Sequence, residues 1–251
     1  MIKSPTEVEA IRRACRIAQS ALEEVGREVR PGLTTLELDG LAAEAIRKRG
    51  ARSAFLGYRK FPRHTCISVN EQVVHGIAGD RRLQFGDIVS VDVGVLFHGY
   101  IGDTAATFPV GGCDAYAQRL MDVTRQALFE GIARARGGNR VRDVSRAIQE
   151  FVEAAGFTVV REFVGHGVGR SVHEDPQVPN FVEDGRRSPV LRPGMTIAIE
   201  PMVNAGARDV RVLNDGWTVV TADGKLSAHF EHTVLIRDGE PEILTCSERM
   251  S

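Results

Sequence analysis

Two segments half a chain apart place an acid at the same point of the same strand pattern. QFGDIVSVDVGV, from Gln84, aligns with RPGMTIAIEPMV, from Arg192, so that Gly86 falls on Gly194, Ile88 on Thr196 and Asp92 on Glu200. The offset is 108 (192 − 84). A second pair aligns at 106 (136 − 30): RPGLTTLELDGLAAEAIRKRGA from Arg30 and RGGNRVRDVSRAIQEFVEAAGF from Arg136, with Gly32 over Gly138 and Gly50 over Gly156. Each member of this pair reads as a glycine turn, a helix and a glycine stop. Its apolar residues fall at helical spacing: Leu38, Leu41, Ala42, Ala45 and Ile46 in one, Val144, Ala147, Ile148, Phe151 and Val152 in the other. Before each lies another helical stretch, Thr6 to Val29 with Thr6 as N-cap, and Asp114 to Arg136. The pattern predicts a single domain over 1–251 built from two αβ halves, about 1–112 and 113–251, whose equivalent strands meet about a pseudo-twofold axis.

The acids in those strands need an explanation. Asp92 lies in VSVDVGV, Glu200 in MTIAIEPMV and Glu231 in SAHFEHTVLI, all otherwise apolar and β-branched. An ionised carboxylate is costly to bury unless it is paired or bound to metal. Any one of them alone is explained by an ion pair or a strand-end cap. Three together with Asp103 lack a matching supply of basic residues, and a divalent cation is the economical partner. Carboxylates with one imidazole suit Mn, Fe, Co or Zn, and four carboxylates carry enough charge for two ions. His166, bracketed by glycines in VGHGVGR, is the imidazole candidate, the glycines clearing space for a bulky ligand to approach. His173 and His75 are the next candidates for a site, whereas His64, His98, His229 and His232 read as surface or strand-packing residues.

Composition excludes several partners. With 32 basic and 33 acidic residues the net charge is −1, without the basic excess that nucleic-acid binding requires. The N-terminal stretch has no apolar signal core of 7 to 15 residues, and no segment approaches about 18 uninterrupted apolar residues. The expectation is a cytoplasmic protein with no membrane or specific nucleic-acid partner. Cys15, Cys66, Cys113 and Cys246 form no C-x-x-C pair and read as reduced thiols. No heptad or long apolar stripe argues against a monomer.

Five blocks in order resemble type I methionine aminopeptidase: YRKFPRHTCISVNEQVVHGIA, VDVGVLFHGYIGDTAATF, EFVGHGVGRSVHEDPQVPN, GMTIAIEPMVNAG and DGWTVVTADGKLSAHFEHTVLIRDG. The resemblance runs from the first helix to about Leu244. It implies the pita-bread fold, an α/β (α+β) architecture of two pseudo-symmetric halves with a central curved antiparallel sheet flanked by helices. It also implies a dinuclear metallo-exopeptidase that removes initiator methionine when the second residue is small. Asp92 would chelate one metal, His166 and Glu200 the other, and Asp103 and Glu231 would bridge the two. The ions would be Co, Mn, Fe, Zn or Ni, holding the hydroxide that attacks the scissile carbonyl. Glu200 would also take the water's proton, His173 would bond the carbonyl oxygen, and His75 the scissile amide nitrogen. Tyr58, Phe61, Cys66 and Trp217 would surround the methionine side chain. The implied partners are peptides and nascent chains with N-terminal Met, met transiently at the ribosome.

Three positions depart from the family pattern: Ala78 stands where proline is usual, Val172 where an aromatic is frequent, and Phe55 where a second pocket cysteine can occur. None is a proposed metal ligand, and all bear on pocket shape. Only 26 residues separate His173 from Glu200, too few for the inserted subdomain of type II enzymes, and the expectation is the compact type I form without an extension before the first helix. The competing readings are a prolidase or aminopeptidase P type peptidase, which shares the ligands but normally carries a large N-terminal domain, and a pita-bread binding module without catalysis, which predicts missing ligands.

Overall fold

The computed structural model describes residues 2–183, 185 and 188–246. Its helices come in two pairs: α1 Pro5–Glu28 with α2 Thr35–Lys48, and α3 Ala115–Arg134 with α4 Val141–Ala154. Helices α2 and α4 have 14 residues each and begin 106 residues apart (141 − 35), the offset of the sequence repeat. Helix α1 starts earlier than expected, because Ser4 rather than Thr6 is its cap. Ser4 Oγ accepts from the Glu7 amide at 3.3 Å and Glu7 Oε2 accepts from the Ser4 amide at 3.0 Å, a reciprocal box that Pro5 extends into the first turn.

The main sheet has nine strands, of which seven build the site: β1 Cys66–Val69, β2 Ile88–Phe97, β3 Tyr100–Pro109, β4 Gly165–Gly167, β5 Glu174–Val178, β6 Thr196–Ile199 and β7 Glu231–Leu235. All pairings are antiparallel, in the order β2-β3-β7-β6-β4-β5, with β1 also on β2. Strands β2 and β3 form a hairpin closed by His98 and Gly99, both at positive φ (48° and 81°), the two-residue turn that suits the strand twist. The halves join where β3 meets β7, through Ala105–Glu231 and Thr104–His232.

Alternation along the strands resolves the buried acids. Val89, Val91, Val93 and Val95 of β2 pack with Ala18, Leu22, Leu38 and Ile46 of α1 and α2. Ile197 and Ile199 of β6 and Val234 of β7 pack in the same way with Leu120, Leu128, Val144 and Ile148 of α3 and α4. Full burial of each such side chain contributes roughly 1.5–3 kcal/mol, which fixes the register and which face each strand turns to the helices. Leu41, expected on the buried face of α2, is 38% exposed. The opposite face of the same strands carries Ser90, Asp92 and Gly94 on β2, and Ala198 followed by Glu200 at the end of β6. No described helix is long and apolar enough to cross a membrane.

Candidate metal centre

Strand register places the acids in one row. Asp92 lies opposite Ala105, and Ala105 opposite Glu231, so residues on three neighbouring strands share a face. Asp103, two residues before Ala105, is on that face, and the His232–Ile199 pair brings Glu200 beside Glu231 one step further. The Gly167–Ile197 pair then sets His166 beside Ala198 on the same side. Acids from both halves and one imidazole thus converge although they are spread over 140 residues of chain (231 − 92 + 1).

Every site residue expected from the sequence lines one cavity of about 240 Å³. It contains the acids with His166, then His75 and His173, and finally Tyr58, Phe61, Cys66 and Trp217. Asp103 and Glu231 are almost fully buried, and Asp92 and Glu200 keep a little surface on the cavity. No Lys or Arg among the described residues pairs with any of the four. Instead each presents a buried oxygen without a hydrogen-bond partner: Asp92 Oδ1, Asp103 Oδ1, Glu200 Oε1 and Glu231 Oε1. Burial, and then mutual repulsion, pushes the Asp92, Glu200 and Glu231 carboxyls well above their usual range, and burial raises Asp103 to about 7.

His166 faces this cluster with a lone pair. Its Nδ1 lies 3.0 Å from the Gly167 carbonyl and donates to it, leaving Nε2 unprotonated 3.3 Å from Glu200 Oε1. Burial holds its pKa down at about 3, so the ring is neutral. Two acceptors at that separation are satisfied by a shared proton or by a cation, and a cation satisfies the orphaned carboxylates around them as well. One ligand atom each from Asp103, His166 and Glu231 lies within 4.8 Å of the others. Hard oxygen donors and one imidazole fit divalent ions, and no thiolate competes, since burial and the nearby acids keep the Cys66 thiol protonated.

The glycines around His166 do not open space for a ligand. A Cβ on Gly165 would strike the Ala198 carbonyl and one on Gly167 the Asp175 carbonyl, so these glycines let β4 fit between its neighbouring strands.

The apolar end of the cavity is built from loops held by carboxylate clamps. Asp39 of α2 fixes the turn at His64 and Thr65 that leads into Cys66. Asp215 Oδ1 accepts from the Trp217 and Thr218 amides, both at 2.8 Å. Phe61 meets Trp217 edge to face with centroids 5.1 Å apart, and His75, at φ +59°, packs against Trp217 and Phe163. Gly76 must be glycine here, because a Cβ would meet the Ile67 carbonyl. Tyr58 Oη lies 3.0 Å from His173 Nδ1, and the two rings stack.

Of the three departures, Phe55 and Val172 line the cavity, whereas Ala78 is fully buried in the first-half core and lines no part of it. Besides Asp39, sequence reasoning misses three residues. Phe163 and Arg59 line the cavity, and His229 is buried with an orphaned Nε2 3.8 Å from Glu200 Oε2. His232 packs within its strand as expected, outside the cavity, its Nδ1 2.8 Å from Thr245 Oγ1.

A helix-flanked antiparallel sheet with a carboxylate-rich pocket on its seam defines a class, and comparison agrees. Residues 9–238 match metallopeptidase family M24. The chain belongs to that family, and within it to the methionine aminopeptidases. It is 52% identical over 245 residues to the methionine aminopeptidase of Clostridium perfringens, covering 98% of each chain. The crystal structure of the Thermotoga maritima methionine aminopeptidase is similar at a TM-score of 0.95 and 48% identity, with 98% of each chain covered. The prolidase of Pyrococcus furiosus is similar at a TM-score of 0.79 and 25% identity, and the match covers 99% of this chain and 66% of that one. The fold is therefore the pita-bread fold, as the resemblance implied.

Proposed function

We propose that this protein removes N-terminal methionine from peptides and nascent proteins whose second residue is small, using two divalent ions held by Asp92, Asp103, His166, Glu200 and Glu231. The observation that carries this reading is the set of four buried carboxylates, each with an orphaned oxygen, converging beside a neutral imidazole on one wall of a pocket whose other wall is aromatic. When bound, such ions polarise a carbonyl and make water acidic enough to act as a nucleophile.

The chain's own groups do the rest. Phe61, Trp217, Tyr58 and Cys66 enclose an unbranched thioether and exclude water from it. Asp92, at the end of the row beside Cys66, anchors the side on which the free amine binds. The Glu200 carboxylate takes the proton of the attacking water. Tyr58, donating to His173 Nδ1, leaves the proton on Nε2, from which His173 donates to the substrate carbonyl oxygen. Burial and then the Arg59 charge hold His173 neutral, the form this role needs. His75, whose pKa is held down at about 4 by burial and then by His173, contacts the scissile amide nitrogen in its neutral form. The reading is of one catalytic domain acting as a monomer in the cytoplasm on chains emerging from the ribosome, with Co, Mn, Fe, Zn or Ni as the ion.

The test is a peptide assay on metal-stripped protein reloaded with Mn, Co or Fe. Methionine should be released from Met-Ala-Ser and Met-Gly peptides, while Met-Leu peptides stay largely uncut. Cleavage of Xaa-Pro dipeptides with Met-Gly ignored would transfer the assignment to the prolidase group.

A further inference from the structure

The turn from Gly57 to Phe61 has an unusual backbone. Arg59 (φ 46°) and Lys60 (φ 73°) follow one another in the left-handed region that favours glycine, a strained backbone for both. The turn is held by Lys60 N to Gly57 O at 3.1 Å, Phe61 N to Tyr58 O at 2.8 Å and Gly57 N to Phe61 O at 2.9 Å. Its effect is to send Tyr58 and Phe61 into the cavity while Arg59 and Lys60 stay exposed, Arg59 at the cavity mouth. The Arg59 guanidinium lies 5.4 Å from the centre of the Tyr58 ring, and Arg59 lines both the inner cavity and the groove outside it.

Among the described residues no carboxylate pairs with Arg59. The acids across the groove are otherwise engaged: Glu174 is held by Lys3 and by the Arg170 amide at 2.8 Å, and Asp175 has an interaction of its own. An uncompensated cation stacked on Tyr58 thus stands where a peptide leaves the cavity.

We propose that Arg59 sets a substrate preference, so that the favoured peptides carry an acidic side chain just beyond the second residue. The proposal rests on the reading of the cavity as a methionine-releasing site and names the class of substrate that site takes. A cation laid on an aromatic face is pre-positioned, so an anionic side chain pairs with it at little cost in ordering. The site is solvated at its rim, so the effect is modest and sensitive to salt.

The experiment compares kcat/KM of the metal-loaded protein on C-terminally amidated Met-Ala-Glu-Glu, Met-Ala-Gln-Gln and Met-Ala-Lys-Lys peptides. The expected order is Glu, Gln, Lys, with about three- to tenfold between Glu and Gln at low salt, carried mainly by KM and shrinking as salt approaches about 0.3 M. Arg59→Gln should collapse the contrast, and Arg59→Glu should reverse it. Equal rates for the Glu and Gln peptides, or an unchanged order in Arg59→Glu, would overturn the proposal while leaving the peptidase reading intact. Failure to release methionine from any of the three would overturn that reading, and the proposal with it.

Discussion

Asp39 holds Thr65 twice through one oxygen: Oδ1 accepts from the Thr65 amide and from Thr65 Oγ1, each at 2.8 Å, and also from the His64 amide at 3.0 Å. This clamp ties α2 to the turn that delivers Cys66 to the cavity and bears on the loop that carries Tyr58 and Phe61. Asp39→Ala leaves those buried donors without a partner and should destabilise the fold by about 2–4 kcal/mol. Urea unfolding measures the loss, and a rise in KM larger than the fall in kcat would show the loosened pocket wall.

Tyr58 and His173 form a second pair with a kinetic consequence. Tyr58→Phe removes the hydroxyl that fixes the His173 ring while keeping the packed area. We expect kcat to fall by about tenfold, with a smaller change in KM, because the bond to the carbonyl oxygen strengthens as charge develops there. Steady-state kinetics on a Met-Ala peptide tests this.

Acid should weaken the fold through His75. Its folded pKa is about 4, below the ordinary 6.5, because burial, and then His173, disfavours the charged ring. Between those values the unfolded chain binds the extra proton, so the contribution is present above pH 6.5 and lost as pH falls towards 4. The full loss is of order 3 kcal/mol. Chemical unfolding of wild type and His75→Gln at matched pH isolates the contribution of this ring. The stability of wild type relative to the variant should decline steadily across that window and be flat above pH 7.

Much of this was legible in the sequence because it depends on local pattern. The 106-residue offset marked α2 and α4, and the acids in apolar strands marked the shared face before any register was known. The helical cap was misplaced by two residues because Ser4 and Thr6 are both suitable caps, and only the Glu7 reciprocal bond separates them. The glycines around His166 were misread because an approaching ligand and a neighbouring carbonyl leave the same trace in sequence. Asp39, Arg59 and His229 were missed for a different reason. Asp39 looks like a polar helix residue, and its partner lies 26 positions away. His229 looks like a strand filler, and its neighbour Glu200 is reached only through the fold. The conformation of Arg59 is set by a turn whose sequence contains no glycine at the strained positions.

The proposed function requires that four carboxylates and one imidazole together hold two ions, with Asp103 and Glu231 needed for both. Calorimetric titration of metal-stripped protein with Mn or Co, with elemental analysis of the product, tests it most directly. The account predicts two equivalents bound per chain in wild type, and loss of both from Asp103→Ala and Glu231→Ala proteins that remain folded. Wild type that binds fewer than two equivalents, or either variant retaining two, would contradict it.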